Sequence, residues 1–261
     1  MNATTTSTTA IPVRVPYPES AEPRLRLRLG PCVLHVVPSD EPDWITGSYD
    51  DRGTGLPLIA EVEGDTATLS QGFSFRSTAS VLGLPQLDLA ISARRPFALT
   101  MEAGASESGF DLGGLPITAF ELKAGAGKYD IDFSRPNPVQ MRSMEFGTGA
   151  GAFAARHLAN ARFATLRVGS GVAGCVLDFS GSLLHDAAAR IDSGLASVEL
   201  VIPAATPARV HAKTFAAGTD AIGGFTRRSD DYFTAPALES GHPLLTIEVS
   251  IAFGQLTLRM T

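Results

Sequence analysis

Leu25, Leu27 and Leu29 alternate with Arg24, Arg26 and Arg28, the period-two pattern of a strand with one buried and one solvated face. The same alternation organises residues 163–181. There Leu166/Val168 and Cys175/Leu177/Phe179 flank a knot of small residues, Ser170-Gly171-Val172-Ala173-Gly174, so the stretch reads as strand, corner, strand. The motif recurs. Gly104, Gly125, Gly149, Gly171, Gly194 and Gly218 fall at intervals of 21, 24, 22, 23 and 24 residues, a period that marks stacked-repeat architectures.

Aligning the chain on these glycines yields apolar columns. Three positions before them stand Met101, Leu122, Phe146, Val168, Ile191 and Phe215. Five before stand Leu99, Phe120, Met144, Leu166 and Ala189, and Lys213 breaks the column at its last step. Two after are Ser106, Gly127, Gly151, Ala173 and Ala196, all small, as a tight bend beside a packed neighbour requires. Six after come Phe110, Ile131, Ala155, Leu177 and Leu200; eight after come Leu112, Phe133, His157, Phe179 and Ile202. One rung cannot hide its apolar row alone, whereas parallel stacking makes a continuous core and satisfies each backbone ladder. The expected fold is all-β: a parallel β-solenoid, either a right-handed β-helix or a stacked two-sheet roll, with short Gly-cornered rungs.

The pattern also divides the chain. Residues 1–22, rich in Thr, Ser and Pro, read as a disordered tail. Residues 23–261 read as one solenoid domain, with irregular first rungs over 23–86 and regular rungs over 87–224. An insertion or cap over 225–243 precedes a final rung over 244–261, expected to close the far end of the stack.

Composition narrows the function classes without selecting one. The 26 Gly and 17 Pro imply many turns and few long helices. A net charge of −6 offers no reason to propose a nucleic-acid partner. Cys32 and Cys175 are too far apart for a ligand motif and read as buried thiols. No membrane span and no basic-then-apolar leader are visible. The expected location is therefore cytoplasmic, or the cell envelope if a leader has been trimmed.

Several segments resemble bacterial toast-rack domains, related to the C-terminal domain of LiaF-like cell-envelope stress regulators and to adhesin-like proteins of similar repeat. These are LRLRLG at 25–30, ELKAGAGKYDIDFS at 121–134, LRVGSGVAGCVLDFSG at 166–181, IDSGLASVELVIP at 191–203, and the closing GGFTRRSDDYF with LTIEVSIAFGQLTL. The resemblance implies a β-solenoid interaction scaffold with no catalytic residues, no cofactor and no metal, working on an unknown protein or cell-envelope partner. Oligomers could form through the solenoid ends.

The residues themselves agree with a non-enzymatic reading. GTGAG at 147–151 lacks the βαβ context of a dinucleotide loop, and its glycine step recurs in every rung. Outward acids are the enzymatic or carbohydrate-binding alternative, since carboxylates on successive rungs can work on polysaccharides. Here Arg156 separates Asp132 from Asp178 in the column Asp111, Asp132, Arg156, Asp178, Val201. The 225–243 insertion is the candidate binding loop, because loops leaving a rigid scaffold commonly carry recognition. It holds Arg227, Arg228, Asp230, Asp231, Tyr232 and His242, with packing of Phe225, Tyr232 and Phe233 over the last rung as its structural role.

Overall fold

The computed structural model describes residues 10–72, 83–239 and 242–261; the side chains of Val172 and Ala173 lie outside that description. Expectations for residues 1–9, for 73–82 within the irregular first rungs, and for Ala173 in the small column therefore lie outside the described residues. The strands are β1 (Ile11–Val15), β2 (Arg24–Leu29), β3 (Cys32–Ser39), β4 (Ile45–Asp50), β5 (Leu58–Glu63), β6 (Thr66–Gln71), β7 (Gln86–Ser92), β8 (Phe97–Ala103) and β9 (Ser106–Asp111). They continue as β10 (Ile117–Asp132), β11 (Met141–Arg156), β12 (Phe163–Asp178), β13 (Ala187–Ile202), β14 (Ala208–Ile222), β15 (Thr226–Arg228), β16 (Asp231–Phe233) and β17 (Leu245–Met260). A one-turn helix, α1 (Ala235–Leu238), and a 3-10 turn (Leu158–Ala161) complete the described elements.

This is a parallel β-solenoid of the stacked two-sheet kind. Each long strand bends at its small-residue corner, and its two halves lie on opposite walls of one core. Phe146 and Phe153 meet across the corner with ring centroids 4.8 Å apart, and Phe163 and Phe179 meet where the rung returns, at 6.5 Å. Register follows the columns. Leu122, Phe146, Val168 and Ile191 pair in sequence through β10, β11, β12 and β13, and all are buried. Burying each such side chain contributes about 1.5 to 3 kcal/mol, which is why the columns tolerate drift in the return loops and none in the strands.

Four expectations are corrected. The tail is not disordered throughout: β1 pairs antiparallel with β4, burying Val13 and Val15. Beyond it Tyr17 stacks on the buried Trp44 at 5.2 Å, with the Arg95 guanidinium 5.1 Å from the Tyr17 ring centroid. Composition hid this because two valines and one tyrosine suffice to anchor a strand whose neighbours are polar.

Gly218 is not a corner of the column. It stands opposite Gln255, and Gln255 stands opposite Ser197, three positions beyond Gly194. The buried partners of Val249 and Ile247 on β14 are Ala212 and Val210, so Lys213 points outward and Phe215 is 88% exposed. His157 also leaves its column. It takes a left-handed backbone conformation, with φ of 52°, and the fully buried Leu158 replaces it.

The final rung does not close the stack. β17 lies between β13 and β14, pairing in parallel with both over nearly its whole length. The first rung is placed alike: β2 lies between β6 and β8, and β3 between β7 and β9. β14 is therefore the outermost long strand at the C-terminal end, with only the short β16 laid antiparallel over Arg209–His211.

Candidate functional site

The insertion forms a hairpin because Ser229 accepts a positive φ of 56° between β15 and β16, which pair antiparallel. Thr234 staples this hairpin to the stack. Its Oγ1 accepts from the Ala208 N–H at 2.9 Å and donates to the Thr206 carbonyl at 2.8 Å, and the residue is fully buried. Tyr232 is buried against β14, whereas Arg227 stacks over the Tyr232 ring and Arg228 over Phe233, 5.4 and 5.7 Å from the centroids. Asp231 binds Arg209 at 3.1 Å and His211 at 3.0 Å. The Arg209 hydrogen bond first, then His211, holds its carboxyl below the usual carboxylate range.

The hairpin thus brings five of the six predicted residues together: Arg227, Arg228, Asp230, Asp231 and Tyr232. His242 is elsewhere. It faces Asp186 at 3.4 Å, in the loop before β13. Asp186 also accepts the Leu244 N–H at 2.8 Å, the main reason its carboxyl lies below the ordinary range.

Where the hairpin stops, a groove of about 710 Å³ opens, lined by Asp192, Ser193, Lys213, Phe215, Asp230 and Ser250, among others. The Ala212 N–H donates to the Asp230 carbonyl at 2.9 Å. Past that bond, residues 213–222 of β14 have no strand partner on their outer side among the described residues. Phe215 and the 52%-exposed Phe253 form an edge-to-face pair at 6.4 Å over this margin, and the exposed Leu195 stands in register with Phe253. Sequence reasoning placed Phe215 in the core. The break at Lys213 was the signal that the phase changes there.

The outward acids are engaged within the fold. Asp130 pairs with Arg156, and Asp132 accepts from His157 at 2.6 Å. Ser134 donates to Asp111 at 2.8 Å, and Ser180 to Asp178 at 2.9 Å. Among the described residues no three His, Cys, Asp or Glu side chains converge as for a metal ion. Burial pushes the Cys32 thiol up to about 11 and the Cys175 thiol up to about 12, so neither offers a thiolate nucleophile near neutrality.

The family profile described as the N-terminal domain of toast_rack matches residues 2–153. The chain belongs to the toast-rack family. The match ends within β11, and the toast-rack rungs continue in unbroken register beyond it through β12, β13 and β17. A "putative cell adhesion protein" from Clostridium sporogenes aligns over 97% of this chain and 99% of its own, at TM-score 0.49 and 14% identity. A "putative adhesin" from Bacteroides fragilis aligns over 96% of each chain, at TM-score 0.39 and 8% identity. Likeness at that level carries no functional argument. No curated protein matches the chain. No helix among the described residues is long and apolar enough to cross a membrane.

Proposed function

We propose that this toast-rack chain is a non-enzymatic interaction domain that takes an extended segment of a protein partner along β14. The observation that carries this is the open margin of residues 213–222 beside the exposed Phe215 and Phe253. A long open strand edge is a template for strand addition, with main-chain bonds supplying affinity and side-chain contacts specificity. β16 already uses the same edge antiparallel for three residues. The occupant is a segment alternating apolar and basic residues, its apolar side chains on Phe215 and Phe253 and a basic one at Asp230. Asp230 lines the groove with no ion-pair partner among the described residues. The sequence resemblance to envelope-stress regulators supports a cell-envelope protein as the partner class in this reading, with the envelope or its cytoplasmic face as the proposed site of action.

A labelled peptide alternating Val and Lys tests this by fluorescence anisotropy. The wild-type chain should bind it, and Phe215→Ser or Thr219→Pro should weaken binding about tenfold or more, since proline removes a ladder donor. Equal binding by all three proteins would overturn the reading. Sedimentation of the free chain distinguishes a second copy as the occupant: dimers abolished by Thr219→Pro would replace the partner protein.

A further inference from the structure

The outer face of the sheet from β2 to β11 carries three arginines that the proposed edge does not use. Arg24 and Arg26 on β2 and Arg142 at the start of β11 line one groove of about 510 Å³, within the size range of small-ligand sites. Its floor is built of small residues. Ala98, Thr100, Thr118 and Ala119 lie between the arginines, and a register shift between Ile117 and Ala119 sets Thr118 as an extra residue in the ladder.

The wall opposite is fixed in place. The Ala98 N–H donates to the Pro23 carbonyl at 3.0 Å and the Arg24 N–H to the Asp65 carbonyl at 2.8 Å. Arg95 donates to the Pro18 and Ser20 carbonyls, holding the segment that leads into Ala21 and Glu22 on the rim. The groove therefore exists without a ligand to form it.

Its charge is out of character for a chain of net −6. The three guanidiniums share the lining with one carboxylate, Glu22. Asp65 pairs with Arg24 at 3.2 Å. Arg26 and Arg142 have no ion-pair partner among the described residues, and Glu102 and Glu121 pair instead with Arg28 and Lys123. Guanidinium groups are matched to planar oxyanions, with paired N–H donors meeting a carboxylate.

Geometry then selects among anions. Arg26 and Arg142 are separated by three strand steps, from β2 through β8 and β10 to β11, and by three residues along the strand, so by more than about 14 Å at the backbone. A single small ion engages one end of such a groove. A ligand with acidic groups along its length engages both, while the Thr100 hydroxyl and the lone pairs of Thr66 and Thr118, whose protons go to Asp65 and the Phe97 carbonyl, meet hydroxyls between them. We infer that this groove binds a short oligosaccharide of sugar acids, its carboxylates on Arg26 and Arg142.

Titration calorimetry of the whole chain with trigalacturonate tests the inference, with maltotriose and inorganic phosphate as the neutral and single-anion probes. Trigalacturonate should bind, weaken as salt is raised and the charges are screened, and lose at least about tenfold, 1.4 kcal/mol, in R26Q/R142Q. Arg167→Gln, on the same sheet face outside the groove, should bind as wild type does, and melting curves confirm that each variant is folded. The inference is overturned if trigalacturonate does not bind, if maltotriose binds equally, if phosphate matches it in affinity, or if R26Q/R142Q binds unchanged. Binding of the Val-Lys peptide should be untouched by R26Q/R142Q, so the two sites fail or stand separately.

Discussion

A β-carbon placed on Gly254 would lie 1.9 Å from the carbonyl oxygen of Ala196 on the neighbouring rung. Gly254 has a φ of +126°, a region closed to side chains, so both sterics and backbone demand glycine. Gly254→Ala should cost more than about 2 kcal/mol in urea unfolding. At Gly174 a β-carbon meets nothing within 4 Å, and Gly174→Ala should stay within about 0.5 kcal/mol. Equal effects at the two sites would show that the corner can relax.

Val168→Asp should leave the chain unfolded or lower its stability by about 4 kcal/mol or more, since it places an unpaired charge in a closed core. Val168 stands between Phe146 and Ile191 in the ladder and is buried. Circular dichroism melts check this, and a variant that melts like wild type would refute the inward phase of the column.

Acid should loosen the hairpin cap before it melts the stack. The Asp231 carboxyl is depressed in the folded state by Arg209 and His211, so its stabilising effect is complete above the unfolded value of about 4 and is lost as pH falls through the lower folded value. Replacing Asp231 with Asn should lower the melting temperature slightly at pH 7 and make no difference at about pH 2. A wild-type advantage that grew in acid would reverse the sign and reject the pairing.

Both thiols should be silent in the folded protein. Cys32 and Cys175 are buried and raised in pKa, so a thiol reagent at pH 8 should label them only as fast as the chain unfolds. Rapid labelling of either in the native state would place it at the surface.

The columns made most of the architecture legible, because a period-two pattern repeated every 21 to 24 residues leaves few ways to bury its apolar rows. Strand order was not legible. Leu245, Ile247 and Val249 match the β13 and β14 columns equally well, and nothing in their apolar character says which neighbour, or that both, will receive them. Of the candidate site, five of the six residues named from the sequence share one hairpin, whereas Phe215 was misplaced by three positions and His242 lies at another contact. The arginine groove was half visible in RLRLRLG; Arg142 joins it only through the stacking of β8, β10 and β11. Exposed aromatics and converging arginines are properties of register, which single-strand periodicity does not encode.

A stack with its sequence termini at its ends can shed one rung at a time from either side. Here the last strand is flanked by two others, as is the first rung. A chain emerging from synthesis therefore reaches β14 before the strand that β14 must rest upon exists, and waits until residue 260 is made. β17 is held like a drawer between two runners, so its release breaks both ladders at once.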